Sequence, residues 1–397
     1  YYDYGCLQDL AGQLHLDIIG YLGNDRRNLA QRNAELVYEF NKGEYLPHNG
    51  GSNANTHVYI STGNIVTGPT NRVILRPNAE SHHNGDGNQG VIFSPNAYSR
   101  LLTIRANNPV ATMFFDVEGF VVTDSDDTRV ECFTYEPNEY ADRTTYCGGK
   151  LSNILCLMDT ANTSIGDRAF VRGSGEHGAG SQKYPIEVEN CVIQHSQAPC
   201  LYETVTPTAN KPTIIRFNNN TIKSRAALYI SDYQKRGNPS LLELEFNNNI
   251  FIPEDATSSF FVVNCELSSL DKFKSATSIK GKNNFTFSDF TTSSNFGNGT
   301  VAIRTPMGSF MKGSVYPVNY TTDETSTSAD TFIYSASNLS AINTSGNALV
   351  GLGDVSLAPT TDILGSSRIR PSFGAQEIGL DYADPGAFTS EVNTITK

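Results

Sequence analysis

Lys223 and Arg225 stand two residues apart at the end of an apolar run that closes on Ile222. Side chains two apart on a strand share a face, so both cations would point the same way. A base beside a fixed cation suits one chemistry well. The base takes a proton next to a carboxylate while the cation neutralises that carboxylate. Lys223 and Arg225 are therefore the candidate catalytic pair if the chain is an enzyme. The plainer reading is two solvated cations on a strand face. Asp124, Asp126 and Asp127 follow Phe120-Val-Val122. Hard cations take several oxygen ligands, so these carboxylates are a weak calcium candidate, though they read first as a solvated acidic turn. No other cofactor is indicated. His82, His83 and Asp86 have metal-binding types but sit among Asn84, Gly85 and Gly87, which read first as a polar loop. No Gly-x-Ser-x-Gly stretch occurs, so no nucleophile elbow is argued.

Seven cysteines occur, none in a Cys-x-x-Cys pair, so zinc is not indicated. Cys132 with Cys147, and Cys191 with Cys200, are close enough in sequence to close short loops as disulfides. Buried free thiols are the alternative, since Cys packs as a small apolar residue. Asn-x-Ser/Thr sequons begin at Asn162, Asn219, Asn284, Asn298, Asn319, Asn338 and Asn343. Each is a glycosylation candidate in a secreted chain.

The elements that would hold these residues are short. From about residue 56, apolar runs such as Arg72-Val-Ile-Leu75 and Val91-Ile-Phe93 are broken by Asn, Gly, Pro and Ser, at strand length. A repeat runs through them. Its copies begin at Asp116, Ser164, Glu187, Arg216, Glu245 and Lys280, with a turn-former at the fourth position: Gly119, Asp167, Asn190, Asn219, Asn248 and Asn283. The first step of 48 reads as two units of about 24, and the rest suit one coil of three strands with variable loops. Asn fits such a corner, because it tolerates the left-handed backbone region and can hydrogen-bond to the same side chain on adjacent coils.

The fold class expected is thus all-β, a right-handed parallel β-helix with an N-terminal α-helical cap. The cap is placed in residues 1–55, where Leu7 to Tyr21 and Asn28 to Phe40 carry helical spacing. The rungs occupy 56–290. Residues 291–397 read as Ser/Thr/Asn-rich final rungs and a C-terminal tail. Phe133 to Leu151 reads as a long Tyr-bearing loop between rungs.

Composition narrows the partners. The 397 residues carry a formal charge of -12, which disfavours nucleic acid, since phosphate binding needs clustered Lys and Arg. No run approaches 18 apolar residues, so no transmembrane helix is expected. The start at Tyr1, without Met or a basic leader, reads as a mature, processed end of a secreted protein.

Near the C-terminus, Asp362-Ile-Leu-Gly365, Arg368 and Phe373-Gly-Ala-Gln-Glu377 form one string. It resembles the closing segment of secreted bacterial right-handed β-helix proteins, a group pectate-lyase-like or polysaccharide-lyase-like in fold. It covers about sixteen residues. Ser372 departs from it, since the group usually has Asp there. The resemblance implies fold and secretion, with Arg368 and Glu377 paired in the end rung, and carries over no catalytic residue. Glycosidases of that fold resemble one another in an Asp pair, a Gly-His-Gly and an Arg-x-Lys. Asp126-Asp127 and Gly175-Glu-His-Gly178 echo them faintly, and Arg-x-Lys is absent.

The functional expectation is a non-catalytic extracellular or cell-surface structural or adhesive protein: a filament, surface-layer or adhesin subunit. Its expected partners are copies of itself or a cell-surface glycan. The enzyme question stays open, leaning to no. The alternative is a polysaccharide lyase or glycoside hydrolase acting in a groove along the β-helix.

Overall fold

The computed structural model describes residues 29–45, 58–61, 67–83, 87–93, 99–106, 113–123, 130–137, 147–157, 168–174, 185–194, 198–203, 213–224, 226–231, 242–253, 259–264, 277–282, 285–286, 295–296, 300–303, 356, 358–363 and 367. They form an all-β structure of parallel sheets. Successive strands go to three sheets in turn, so every third strand lies beside its predecessor.

The first sheet runs Leu36–Phe40, Val73–Pro77, Met113–Glu118, Cys147–Ser152, Ile186–Glu189, Thr213–Asn218, Leu242–Asn247 and Thr277–Lys282. The second runs Gly43–Tyr45, Val91–Phe93, Val121–Thr123, Leu155–Leu157, Val192–Gln194, Thr221–Ser224, Ile250–Pro253 and Phe285–Thr286. The third runs Val58–Ser61, Ser99–Ala106, Val130–Pro137, Arg168–Ser174, Ala198–Glu203, Ala226–Ser231 and Ser259–Asn264. Thr300–Ile303 and Asn295–Phe296 extend its far edge antiparallel. Residues after 290 were expected to form further rungs; of the two described strands there, Thr300–Ile303 instead runs antiparallel to Ser259–Asn264, and Asn295–Phe296 pairs antiparallel with Thr300–Ile303.

Alternation explains the strands. Val73–Pro77 and Ile186–Glu189 bury every second residue. One apolar cluster draws on all three sheets, including Leu75, Val117 and Phe217 from the first, Phe93, Cys156 and Ile222 from the second, and Ile104 and Phe133 from the third. In-register pairing stacks like on like. Leu75, Val117, Leu151, Val188, Phe217 and Phe246 are successive partners across the first sheet. The rings of Phe217 and Phe246 stack with centroids 5.1 Å apart.

Three expectations need correction here. Asn28 to Phe40 is not one helix. A single helical turn, Leu29–Arg32, precedes the strand Leu36–Phe40, which pairs with Val73–Pro77. Residues at i and i+4 share a face in both periodicities, so Leu36 and Phe40 fit either, and pairing to a neighbouring strand decides it. The sheets therefore begin inside the segment assigned to the cap; Leu7 to Tyr21 lies outside the described residues. The Phe133–Leu151 stretch is strand at both ends, and Tyr135 is wholly buried, donating to the Phe115 carbonyl at 3.3 Å. Asp167 lies outside the described residues, and the corner of that pass falls at Asn153 instead. The turn between first and second sheets is made by Gly119, Asn153, Asn190, Asn219 and Asn248, all at positive φ. The steps are 34, 37, 29 and 29 by subtraction, so the interval of 48 was not two units of 24.

Candidate functional site: an asparagine corner and a charge column

The corner residues turn the backbone with φ between 53° and 57° at the four Asn and 75° at Gly119. Asn and Gly adopt this left-handed region at least cost. Their N–H groups donate to the next strand along: Gly119 to the Ser152 carbonyl, Asn153 to Glu189, Asn190 to Asn218 and Asn219 to Asn247. Where the sequence reads Asn-Asn-Asn, side chains stack as well. Asn247 donates to Asn218 at 3.0 Å, Asn248 to Asn219 at 3.2 Å, and Asn220 to Asn249 at 3.0 Å. Asn219, Asn220, Asn248 and Asn249 have no exposed surface. The sequon at Asn219 thus falls on a corner whose amide is buried in this ladder. The other six sequon asparagines lie outside the described residues.

One residue after the corner is a second column: Phe120, Ile154, Cys191, Asn220 and Asn249. Asn220 and Asn249 donate inward to the Val188 and Phe217 carbonyls, at 2.9 and 2.8 Å. Cys191 fills the same role, its thiol lying 3.5 Å from the Leu151 carbonyl and 3.3 Å from that of Glu189. Burial pushes this thiol strongly up, so it is a poor nucleophile. Cys132 and Cys191 carry no disulfide in this structure, so neither expected pair is formed here. Cys147 donates to the Ile104 carbonyl at 3.4 Å, and the sulfur beside Cys132 is that of Cys156. Closeness in sequence did not set the neighbour: the Cys147 thiol turns to Ile104 and that of Cys132 to Cys156.

The outer face of the first sheet carries a column of opposite charges. Asp116, Lys150, Glu187, Arg216 and Glu245 fall opposite one another in register, and Lys280 holds the next register position. Arg216 donates to Glu245 at 2.8 Å and stands 3.7 Å from Glu187. Lys150 pairs diagonally with Glu189. Arg72 binds both oxygens of Asp116 at 2.9 Å, and the Lys150 backbone N–H donates to one of them. Burial raises the Asp116 carboxyl, opposed by Arg72 and Lys150. Burial likewise raises Glu189, opposed mainly by Lys150. Raised carboxyls often mark acid–base sites, but ion-pair networks raise them too. Partly exposed pairs contribute about 0–1 kcal/mol each, so the column fixes register more than it stabilises.

His83 is buried with Nε2 2.8 Å from the Asn153 carbonyl. A carbonyl only accepts, so Nε2 carries the proton of the neutral ring. Burial lowers the imidazole, partly offset by this hydrogen bond. Among the described residues no group of three or more His, Cys, Asp or Glu is placed to hold a metal. Asp124, Asp126, Asp127 and Asp86 lie outside them.

Lys223 is buried, in register between Gln194 and Ile252, on the face opposite the core residue Ile222. Arg225 lies outside the described residues, so only Lys223 of the expected pair is placed. The outer face of the second sheet is apolar at Val121, Leu155, Leu157 and Val192, and Ile363 from far along the chain packs on it. Asn190 donates to the Thr361 carbonyl at 2.7 Å, and Asp362 between them is fully buried. The Asp362-Ile363 part of the C-terminal string thus lies against the side of the second sheet. Arg368 and Glu377 lie outside the described residues.

The charge column had a signal in the sequence: first positions of the repeat alternate in sign once Lys150 replaces Ser164. Ile363 had none, since nothing local marks a contact across so much chain. No family model, no curated protein and no solved structure matches this chain.

Proposed function

We propose that the chain coils as a right-handed parallel β-helix and serves as a non-catalytic extracellular structural or adhesive protein. Support for the coil is the cyclic visiting of three parallel sheets. Crossovers between parallel strands are right-handed in about 98% of cases. The observation that carries the functional reading is the charge column. Arg72 with Asp116, Lys150 with Glu189 and Arg216 with Glu245 satisfy one another across strands. A face neutralised from within suits a scaffold better than a groove that must grip a charged chain. The partner proposed is another copy of the chain or a cell-surface glycan.

A second reading is a polysaccharide lyase or glycoside hydrolase. It is favoured by the raised carboxyls of Asp116 and Glu189 on one sheet face. Negative-stain microscopy with size-exclusion of the same sample separates the two. Filaments or sheets support the structural reading. A lone, compact species that releases unsaturated or reducing ends from a polysaccharide overturns it.

A further inference from the structure

The thiols of Cys132 and Cys156 lie 4.0 Å apart, both without exposed surface, inside the apolar core. Cys132 belongs to the third-sheet strand Val130–Pro137. Cys156 belongs to the second-sheet strand Leu155–Leu157 of the next pass. Among the described residues, two further buried thiols are directed to carbonyls: Cys147 to Ile104, and Cys191 to Leu151 and Glu189. Cys132 and Cys156 instead face each other sulfur to sulfur. A disulfide is about 2.05 Å long, so the sulfurs must approach by about 2 Å. Side-chain rotation about χ1 at both cysteines supplies movement of that kind, since each occupies one of three staggered wells.

We propose that Cys132 and Cys156 are a disulfide-forming pair that staples consecutive passes of the chain through the core. The reaction needs a low-molecular-weight disulfide, of which glutathione disulfide is the usual representative. One cysteine thiolate attacks it. A protein–glutathione bond forms, the S–S bond of the reagent breaks, and one glutathione leaves as thiolate to take up a proton. The second cysteine loses its proton, attacks the protein sulfur and releases the second glutathione. Two protein thiols are oxidised and one glutathione disulfide is reduced to two thiols. Because both sulfurs are sealed in the finished fold, the bond forms while this part of the chain is closing. A reductant cannot reach it afterwards without unfolding. The inference stands on the core geometry and does not depend on the function proposed above.

The test uses the full chain, unfolded with reductant and refolded in a glutathione redox buffer. Remaining thiols are blocked with N-ethylmaleimide in denaturant, and the digest is read by mass spectrometry. The expected result is a peptide pair joined through Cys132 and Cys156, lighter by two hydrogens than the separate peptides, with both alkylated forms lost. The bond should survive reductant added to the folded protein and disappear once denaturant is added too. In Cys132→Ser, Cys156 should be recovered alkylated. Recovery of both cysteines alkylated in the unsubstituted chain, or of either joined to another cysteine, overturns the proposal.

Discussion

The side-chain amide of Asn248 donates to that of Asn219 across 3.2 Å, from one left-handed corner to the next. Two demands meet at Asn248: a positive φ and a buried donor. They can be separated. Asn248→Gly keeps the backbone conformation and loses the donor, at an expected cost of about 1 kcal/mol. Asn248→Ala loses the donor and adds the strain of a left-handed alanine, about 1–2 kcal/mol more. Urea unfolding of the three proteins checks the order. Equal losses in both variants would show that the corner conformation carries no weight.

Gly149 tests packing between adjacent strands. A Cβ there would collide with the Phe115 carbonyl oxygen, which is backbone and cannot rotate away. Gly149→Ala should cost about 3 kcal/mol or more, since overpacking of this kind forces backbone shifts. A thermal melt within a degree of the parent would sink the close approach.

His83 sets a pH dependence. Its folded value lies below the ordinary 6.5, so the unfolded chain binds the proton more readily. Stability from this group is full above about 6.5 and falls as pH drops toward the folded value. Asp116 and Glu189 act oppositely. Their folded values are raised, so the folded state holds protons more tightly and loses that advantage as pH rises through them. Denaturation midpoints of the parent and His83→Gln between pH 7.5 and 5.5, roughly one unit either side of an ordinary imidazole, isolate the first effect. The parent should lose stability toward the acid end, and the variant should lose less.

The charge column is tested by reversing one sign. Arg216→Glu sets a third carboxylate between Glu187 and Glu245, with an expected loss of about 1–2 kcal/mol at low salt that shrinks at high salt. Arg216→Gln should lose less than about 1 kcal/mol, because the pairs are partly exposed. A loss that ignores salt would point to packing of the Arg216 stem instead.

Ile363 covers the apolar outer face of the second sheet. Ile363→Asp should undock this segment, raise binding of a hydrophobic dye at Val121, Leu155 and Val192, and expose the chain near Thr361 to protease. The docking should weaken by about 2–4 kcal/mol. Unchanged dye binding and cleavage would place the segment elsewhere.

Much of the fold was legible in the sequence, because parallel strands in register repeat their pattern. Val188, Phe217 and Phe246 stand at one position of the repeat, and Gly119, Asn190, Asn219 and Asn248 mark its corner. Asn153 escaped notice because Ser152 and Ile154 give it no run of asparagines to announce it. Leu36–Phe40 misled because its apolar spacing satisfies helix and strand alike. The candidate site was less legible. Arg72 finds Asp116 and Cys132 finds Cys156 only through the stacking of passes, and no local period encodes which residues of successive passes meet. Lys223 and Arg225 had the right types, but type says nothing about whether an acid or a substrate faces them.

The corner steps of 34, 37, 29 and 29 differ, yet the columns beside them stay aligned. The chain is tolerant of length between strands and strict within them. A graft of extra residues between Leu157 and Arg168 would leave every stacked partner in place. One residue added inside Thr213–Asn218 would transpose the faces of the rest of that strand, sending Phe217 outward and Arg216 into the core. Foreign peptides displayed on this protein therefore belong in the connections, where their length is free.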